Sequence, residues 1–516
     1  MNQPLTPSFF LRHIAAQADP RVIDSRQTQL LPLVSARQDT TGDLTISLPH
    51  AKDEGRLQLT HKPLFLNYLR LTPFDISTEE GREHERYRRT LLTFSANVFA
   101  RAVGLLALFI SLRISLPYLG TERYGVLATI LGFSSLLMFL DLGIGNALIG
   151  QVATHSARNG QTLKTVISAG LWTLSAMGVC VAALLGYGAL QLPVAWLFKN
   201  ASPEVLREGQ ETLLVFALLF GASVPLVAVP KIFSGLQEGY LPHLVTGALS
   251  GVSVMILYAL PHWKAGIPAF LLVTYSPQLL TGLVLLPVLM RRGYLGFLGR
   301  STFFSSHAAD LLKAGGLFFA LQIGVMAGWG ADSLIISARL GPDAVAVFTV
   351  AQRLFLLVSA PLAMALSPLW AAYADATARN DSGYIRRTFH KSLRLVLCYA
   401  MGVSALLILF GAQFSQLITG NTVRISLLML LFYGVWSIAE AWGNAVAMMA
   451  NGMHVIKPQV SVVILFVVLA LPLKIALIAS LGVDYMPLLT LISYFLTVVI
   501  PYHTVFRTQI FIWTRR

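Results

Sequence analysis

Eight charged side chains fall inside stretches of this sequence apolar enough to lie in hydrocarbon: Arg101, Arg113, Asp141, Lys231, Asp332, Arg353, Glu440 and Lys474. A charge at the centre of a membrane-spanning helix costs about 2.5–3.5 kcal/mol on insertion scales, so each needs a reason to be there. Two of the eight belong to polar stripes. Asn97, Arg101, Gly104, Leu108, Ser111 and Ser115 are spaced by four and three and share one helical face, as do Gln322, Val325, Trp329, Asp332 and Ile336. From Arg101 onward, the second stripe repeats the first at an offset of 221 residues. The same offset relates Ala157-Arg158-Asn159 to Ala378-Arg379-Asn380 and Leu119-Gly120 to Leu340-Gly341. Such stripes bring guanidinium, amide, hydroxyl and carboxylate groups into an apolar medium, where they can line a polar path. They also suit plain interhelical contact through small residues and hydrogen bonds.

The other charges divide by position. Arg113, four residues from Pro117 and off the stripe face, is placed to snorkel to the surface. Lys231 is near the end of its span, where snorkelling and cavity lining fit equally well, whereas Lys474, beside Pro472, lies deeper and favours a cavity. Asp141, in FLDLGIGNA, suits a proton-titrating group or an ion-pair partner for Arg101 or Arg353. Glu440 shares a face with Tyr433, Ser437 and Asn444, flanked by Trp436 and Trp442. Acid, amide and aromatic groups together suit sugar binding, although a membrane Trp is more often an interface anchor.

These residues need helices that cross a bilayer. Of 516 residues, 55% are hydrophobic and only 12% charged, against about 25% charged in soluble domains, and the mean hydropathy is +0.67. The chain is therefore expected to be an all-α, polytopic membrane protein. Apolar stretches long enough to cross a core of about 30 Å occupy residues 91–117, 125–149, 165–190, 212–236, 244–260, 266–290, 316–338, 346–371, 393–413, 424–449, 460–480 and 483–506. Twelve helices make two six-helix bundles. An even number of spans keeps both copies in the same orientation, related by an axis along the membrane normal, with the polar faces meeting across a central cavity. Pro225, Pro230, Pro277, Pro361, Pro368 and Pro472 would bend these helices. Later in the repeat the register slips, since Pro242 and Pro458 differ by 216.

The net charge of +14 might suggest nucleic acid, but the basic residues are spread between spans. Loops 151–164, 237–243, 291–315, 372–394, 450–459 and 507–516 carry 15 Lys/Arg, against six in the opposite loops (Arg123, Lys199, Arg207, Lys264, Arg339 and Arg424). That bias places both termini in the cytoplasm. Cys180 and Cys398 fall inside spans and form no disulfide framework. No signal-peptide pattern precedes the first span. Nucleophile elbows, phosphate-cradling loops and zinc spacings are lacking, and the longest outer loop, 191–211, leaves no room for a catalytic domain. The chain is read as no enzyme, with no metal and no cofactor.

The expected domains are a cytoplasmic extension (1–90), a first bundle (91–290), a cytoplasmic linker (291–315) and a second bundle (316–516). The extension holds 12 Lys/Arg and 11 Asp/Glu. DLTISL and GRLQLTH alternate well enough for short strands, but the region promises little core, so disorder and a small accessory module both fit.

The runs LPYLGTERYGVLATILGFSSLLMFLDLGIGNALIG (116–150) and GADSLIISARLGPDAVAVFTVAQRL (330–354) resemble the polysaccharide transporter family, the O-antigen flippases of the multidrug/oligosaccharidyl-lipid/polysaccharide exporter superfamily. The resemblance covers residues 88–510. It rests on Leu119-Gly120 with Tyr124-Gly125, the Asp141-Leu142-Gly143 turn, Asp332 followed by Leu340-Gly341, and Arg353. The chain departs from the family by its 90-residue head and by Ala346, where the second-half motif commonly has glycine.

The resemblance implies a transporter in the bacterial inner membrane that flips a polyprenyl-pyrophosphate-linked oligosaccharide (an O-antigen, exopolysaccharide or capsule repeat unit) by alternating access. It also offers a polysaccharide polymerase and a chain-length regulator as partners. On that reading Arg101, Arg353, Lys231 and Lys474 face the pyrophosphate, while Asn97, Ser111, Gln322, Trp329 and Glu440 face the sugars. Asp141, Asp332 and Glu440 are candidates for ion coupling. An anion moving outward from a negative interior gains about 2.3 kcal/mol per charge per 100 mV. The alternatives are a multidrug exporter, whose cationic cargo prefers an acidic cavity; a lipid II flippase, which typically has two further helices; and a polymerase or synthase subunit.

Overall fold

The computed structural model describes residues 72–75, 77–137, 144–156, 160–295, 330–455 and 457–511. Asp141, Gln322, Val325, Trp329, the tripeptide 157–159, most of the linker and the candidate strands of the extension lie outside them. Helices α1 (Glu79–Leu137), α2 (Ile144–Ser156), α3 (Gly160–Gln191), α4 (Pro203–Gly235), α5 (Tyr240–Ala259) and α6 (Ile267–Arg291) form the first half. Helices α7 (Asp332–Leu340), α8 (Pro342–Ala378), α9 (Ser382–Thr419), α10 (Leu427–Gly452), α11 (Lys457–Leu481) and α12 (Met486–Tyr494) form the second. Among the described residues nine helices are long and apolar enough to cross a bilayer. Three features separate that number from the twelve expected spans. The first two spans run on from one another through the break at Gly120 and count once, the seventh is described only from Asp332, and α10 is diluted by polar residues such as Glu440 and Asn444.

The repeat is written into the backbone. Gly120 breaks α1 with φ 75° and ψ 173°. Gly341, 221 residues on, separates α7 from α8 with φ 98° and ψ 171°. Both torsion pairs lie in a region open to glycine almost alone. Asn200 and Asn421 form another pair at the same offset, with φ of 60° and 64°. The slip is visible too, because Gly266 and Gly482, each capping the start of a helical segment, differ by 216.

α1 begins twelve residues before the expected first span. Thr78 Oγ1 accepts a hydrogen bond from the Gly81 N–H at its start, as an N-cap should. Glu85, 4% exposed, then accepts from the Phe74 N–H, from Arg88 through both carboxylate oxygens and from Arg89. Burial alone would raise the Glu85 carboxyl, but these bonds outweigh it and hold it at about 2. Arg89 Nη1 also donates to the Leu236 carbonyl, just past the end of α4. The lead-in to the first span is thereby tied to the rest of the first half.

The two halves meet at the end of the helices that carries Gly120 and Gly341. Thr121 Oγ1 donates to Asp343, Ser337 Oγ donates to the Leu197 carbonyl at 2.7 Å, and the Lys199 N–H reaches the Ser337 carbonyl at 3.3 Å. Gly125 lies so close to the start of α8 that a Cβ there would sit 1.8 Å from the Pro342 carbonyl oxygen. Its repeat partner Ala346 is fully buried, so its methyl is packed rather than excluded. This explains how the second copy tolerates alanine where the first needs glycine.

Candidate functional site

In the second half, Lys474 Nζ donates to Asp332 Oδ1 at 2.7 Å, and Lys474 is wholly buried. α7 supplies the acid and α11 the base, 142 residues apart in sequence. Lys474 Nζ also lies 6.0 Å from the Phe466 ring centroid, within range of a cation–π attraction. Tyr433, on α10, stacks on Phe355 at 5.2 Å and is within electrostatic reach of both Asp332 and Glu440. Glu440, about two helical turns further along α10, has no hydrogen bond or ion pair among the described residues. Tyr494 of α12 lies within reach of the same carboxylate, with its hydroxyl against Gly443, where a Cβ would come within 1.8 Å of it. Trp436 meets the Tyr494 ring edge to face at 5.4 Å.

The first half is different. Arg101 is exposed, and its Nε donates to Asn97 Oδ1 at 3.2 Å along the stripe. Its charge also acts on His243 at the start of α5. Ser111 is buried and donates to the Leu108 carbonyl of its own helix. Lys231 is half-buried near the end of α4. Arg353, on α8, reaches across to the first half, with its guanidinium 5.7 Å from the Tyr124 ring centroid. Arg113 is exposed and lies against the end of α9, where a Cβ on Gly420 would fall 2.1 Å from its Nη1. That position sets a cation against a helix C-terminus.

Several expected site residues are thus brought together: Asn97 with Arg101, Asp332 with Lys474, and Glu440 and Asp332 around Tyr433. Arg101 and Asp332 stand at different depths. They precede their equivalent glycines by 19 and nine residues, or about 28 Å and about 13 Å at about 1.5 Å per helical residue. Tyr124, Tyr433 and Tyr494 were not among the expected site residues. Tyr433 was legible as a member of the Glu440 face and Tyr124 as part of the Tyr124-Gly125 pair, whereas Tyr494 offers only a polar tip on an aromatic ring within an apolar run.

A helical fold with paired halves, a shared seam and apolar helices long enough to cross a bilayer places this chain among polytopic membrane proteins. A multidrug resistance transporter of the MATE family, in its inward-facing conformation, aligns with a TM-score of 0.66 at 16% identity, over 81% of this chain and all of the other. The lipid II flippase MurJ aligns with a TM-score of 0.62 at 14% identity, over 82% of this chain and 89% of that one. At such identities the likeness shows the fold, that of the multidrug/oligosaccharidyl-lipid/polysaccharide superfamily. The sequence pattern of the family described as polysaccharide biosynthesis protein matches residues 87–374, and the chain belongs to that family. A protein of Yersinia pseudotuberculosis named for O-antigen export is 21% identical over 70% of this chain and 82% of its own length. One of Salmonella typhimurium named for O-antigen transport is 24% identical over 74% of this chain and 87% of its own.

Proposed function

We propose that this protein carries a polyprenyl-pyrophosphate-linked oligosaccharide from the inner to the outer leaflet of a bacterial inner membrane, as a carrier and not as a catalyst. Relatives named for O-antigen export support the cargo class, and the asymmetry of charge between the halves carries the physical argument. In the second half the Lys474 ammonium is neutralised by Asp332, whereas in the first half Arg101 donates to the neutral Asn97 amide and, among the described residues, forms no ion pair. Arg101, with Lys231 on α4, is the better-placed base for a pyrophosphate. Glu440, Trp436 and the tyrosines of α10 and α12 offer acceptors and ring faces to sugars. The Asp332–Lys474 pair and Glu440 are the ion-coupling candidates in this half.

With both termini in the cytoplasm, the Gly120/Gly341 end faces outward, and the seam there closes the outer side in this state. The lipid tail stays in the bilayer while the head group crosses. A polysaccharide polymerase and a chain-length regulator are the partners this cargo calls for.

The test is a leaflet-resolved assay of lipid-linked oligosaccharide in proteoliposomes. Wild-type protein should expose the head group to an external lectin, and Arg101→Ala should slow exposure at least tenfold with normal insertion. Equal rates for the two proteins would remove Arg101 from the path, and no exposure by the wild type would sink the transport reading.

A further inference from the structure

α9 opens with a basic face that its counterpart lacks. Arg387, His390, Lys391 and Arg394 follow one another at helical spacing and are all exposed. The corresponding turns of α3, residues 165–173, hold no Lys, Arg or His at either a 221- or a 222-residue offset. Two copies of one unit have the same folding requirements, so these charges are not needed to build the helix pair.

His390 edges two adjoining cavities. One, of about 480 Å³, is floored by Phe389, Trp442 and Phe511 and edged by His390, His503 and Arg507. Its rings are mutually braced: Trp442 stacks on His503 at 5.5 Å, and Phe511 lies 5.3 Å from His503 and 6.0 Å from Phe389. The other, of about 540 Å³, runs along α9 past Arg387, Lys391 and Arg394 to Leu395 and Cys398. Among the described residues, none that lines either cavity is acidic. Below the charges the helix turns apolar and outward-facing, with Leu395 64% exposed and Leu406 and Leu409 exposed beyond it.

We infer that this groove binds an anionic phospholipid of the bilayer as a resident neighbour of the carrier. The phosphate sits among the Arg387, Lys391, Arg394 and Arg507 cations, and an acyl chain follows Leu395 and Cys398 down α9. Charge complementarity selects an anion, because several cations converging on one stretch of helix attract a phosphate more strongly when no ammonium of the headgroup offsets its charge. The apolar continuation selects a lipid over a free ion. Trp442 and the two histidines lie where amphipathic rings suit a headgroup layer, and basic pockets at the cytoplasmic ends of helices are suited to acidic headgroups. The site is on the flank of the second half and does not depend on the cargo proposed above.

The full-length protein in detergent, titrated by native mass spectrometry, tests this. Phosphatidylglycerol should bind about tenfold tighter than phosphatidylcholine with the same acyl chains. Arg387→Gln/Lys391→Gln/Arg394→Gln should lower phosphatidylglycerol affinity at least fivefold, while Arg387→Lys/Arg394→Lys should keep at least half of it. His503→Gln/Arg507→Gln attacks the groove from the other side and should also lower it, so that misfolding of one variant does not leave the matter undecided. Equal affinity for the two lipids, or unchanged phosphatidylglycerol binding in a folded variant, overturns the site. Displacement of phosphatidylglycerol by equimolar inorganic phosphate makes it a soluble-anion site and overturns the lipid assignment.

Discussion

Lys474 and Asp332 are the residues whose fates are most tightly joined. Each would be costly alone in the interior, and the 2.7 Å contact is what makes both tolerable. Removing one partner leaves the other buried and unpaired, which costs about 3–5 kcal/mol, whereas replacing both with apolar side chains is often close to neutral. Lys474→Met should therefore destabilise the protein by about 3–5 kcal/mol in unfolding measurements, and Asp332→Leu/Lys474→Met should recover most of that loss. If the single and double variants unfold alike, the pair is not the desolvated unit described here. Glu440 behaves differently: it has no ionic partner among the described residues.

At the scale of elements, glycines decide how helices join. Gly120 and Gly341 hold torsions that cost other residues about 1–3 kcal/mol, and each lets a helix turn back into the seam. Around Gly120 there is open space, but a Cβ on Gly341 would sit 2.6 Å from the Lys199 carbonyl oxygen. Gly341→Ala should consequently lower the unfolding temperature more than Gly120→Ala, and both more than Gly251→Ala, a helical position with nothing within 4 Å. A ranking with Gly251→Ala as the worst of the three would contradict the torsional role given to Gly120 and Gly341. α1 shows the same logic from its start, where the Glu85 cluster fixes the lead-in before the apolar span begins.

For the whole molecule, the seam between the halves is the feature that must part if access alternates. Thr121 and Asp343 touch across it, and the native Cys180 and Cys398 are free thiols. In a Cys180→Ser/Cys398→Ser background, a short bismaleimide linking Thr121→Cys to Asp343→Cys should abolish transport, with each single cysteine remaining active. Undiminished transport by the cross-linked protein would mean that this seam stays shut throughout the cycle.

Much of this was legible in the sequence because it is written in local period and composition. Apolar length set the spans, the 221-residue offset set the two copies, and hydrophobicity marked the eight charges as costly. The tertiary structure alone decided which charge meets which group: Lys474 with Asp332, Arg353 with the Tyr124 ring, and Arg113 with the end of α9. It also decided that the first two spans meet at a sharp break at Gly120 and that the basic face of α9 adjoins the rings of Trp442, His503 and Phe511 through His390. The physical reason is that a stripe specifies a face but not its partner. The partner depends on the rotation, tilt and depth of a second helix, which are set by close approaches such as Gly125 against Pro342 between residues far apart in the chain.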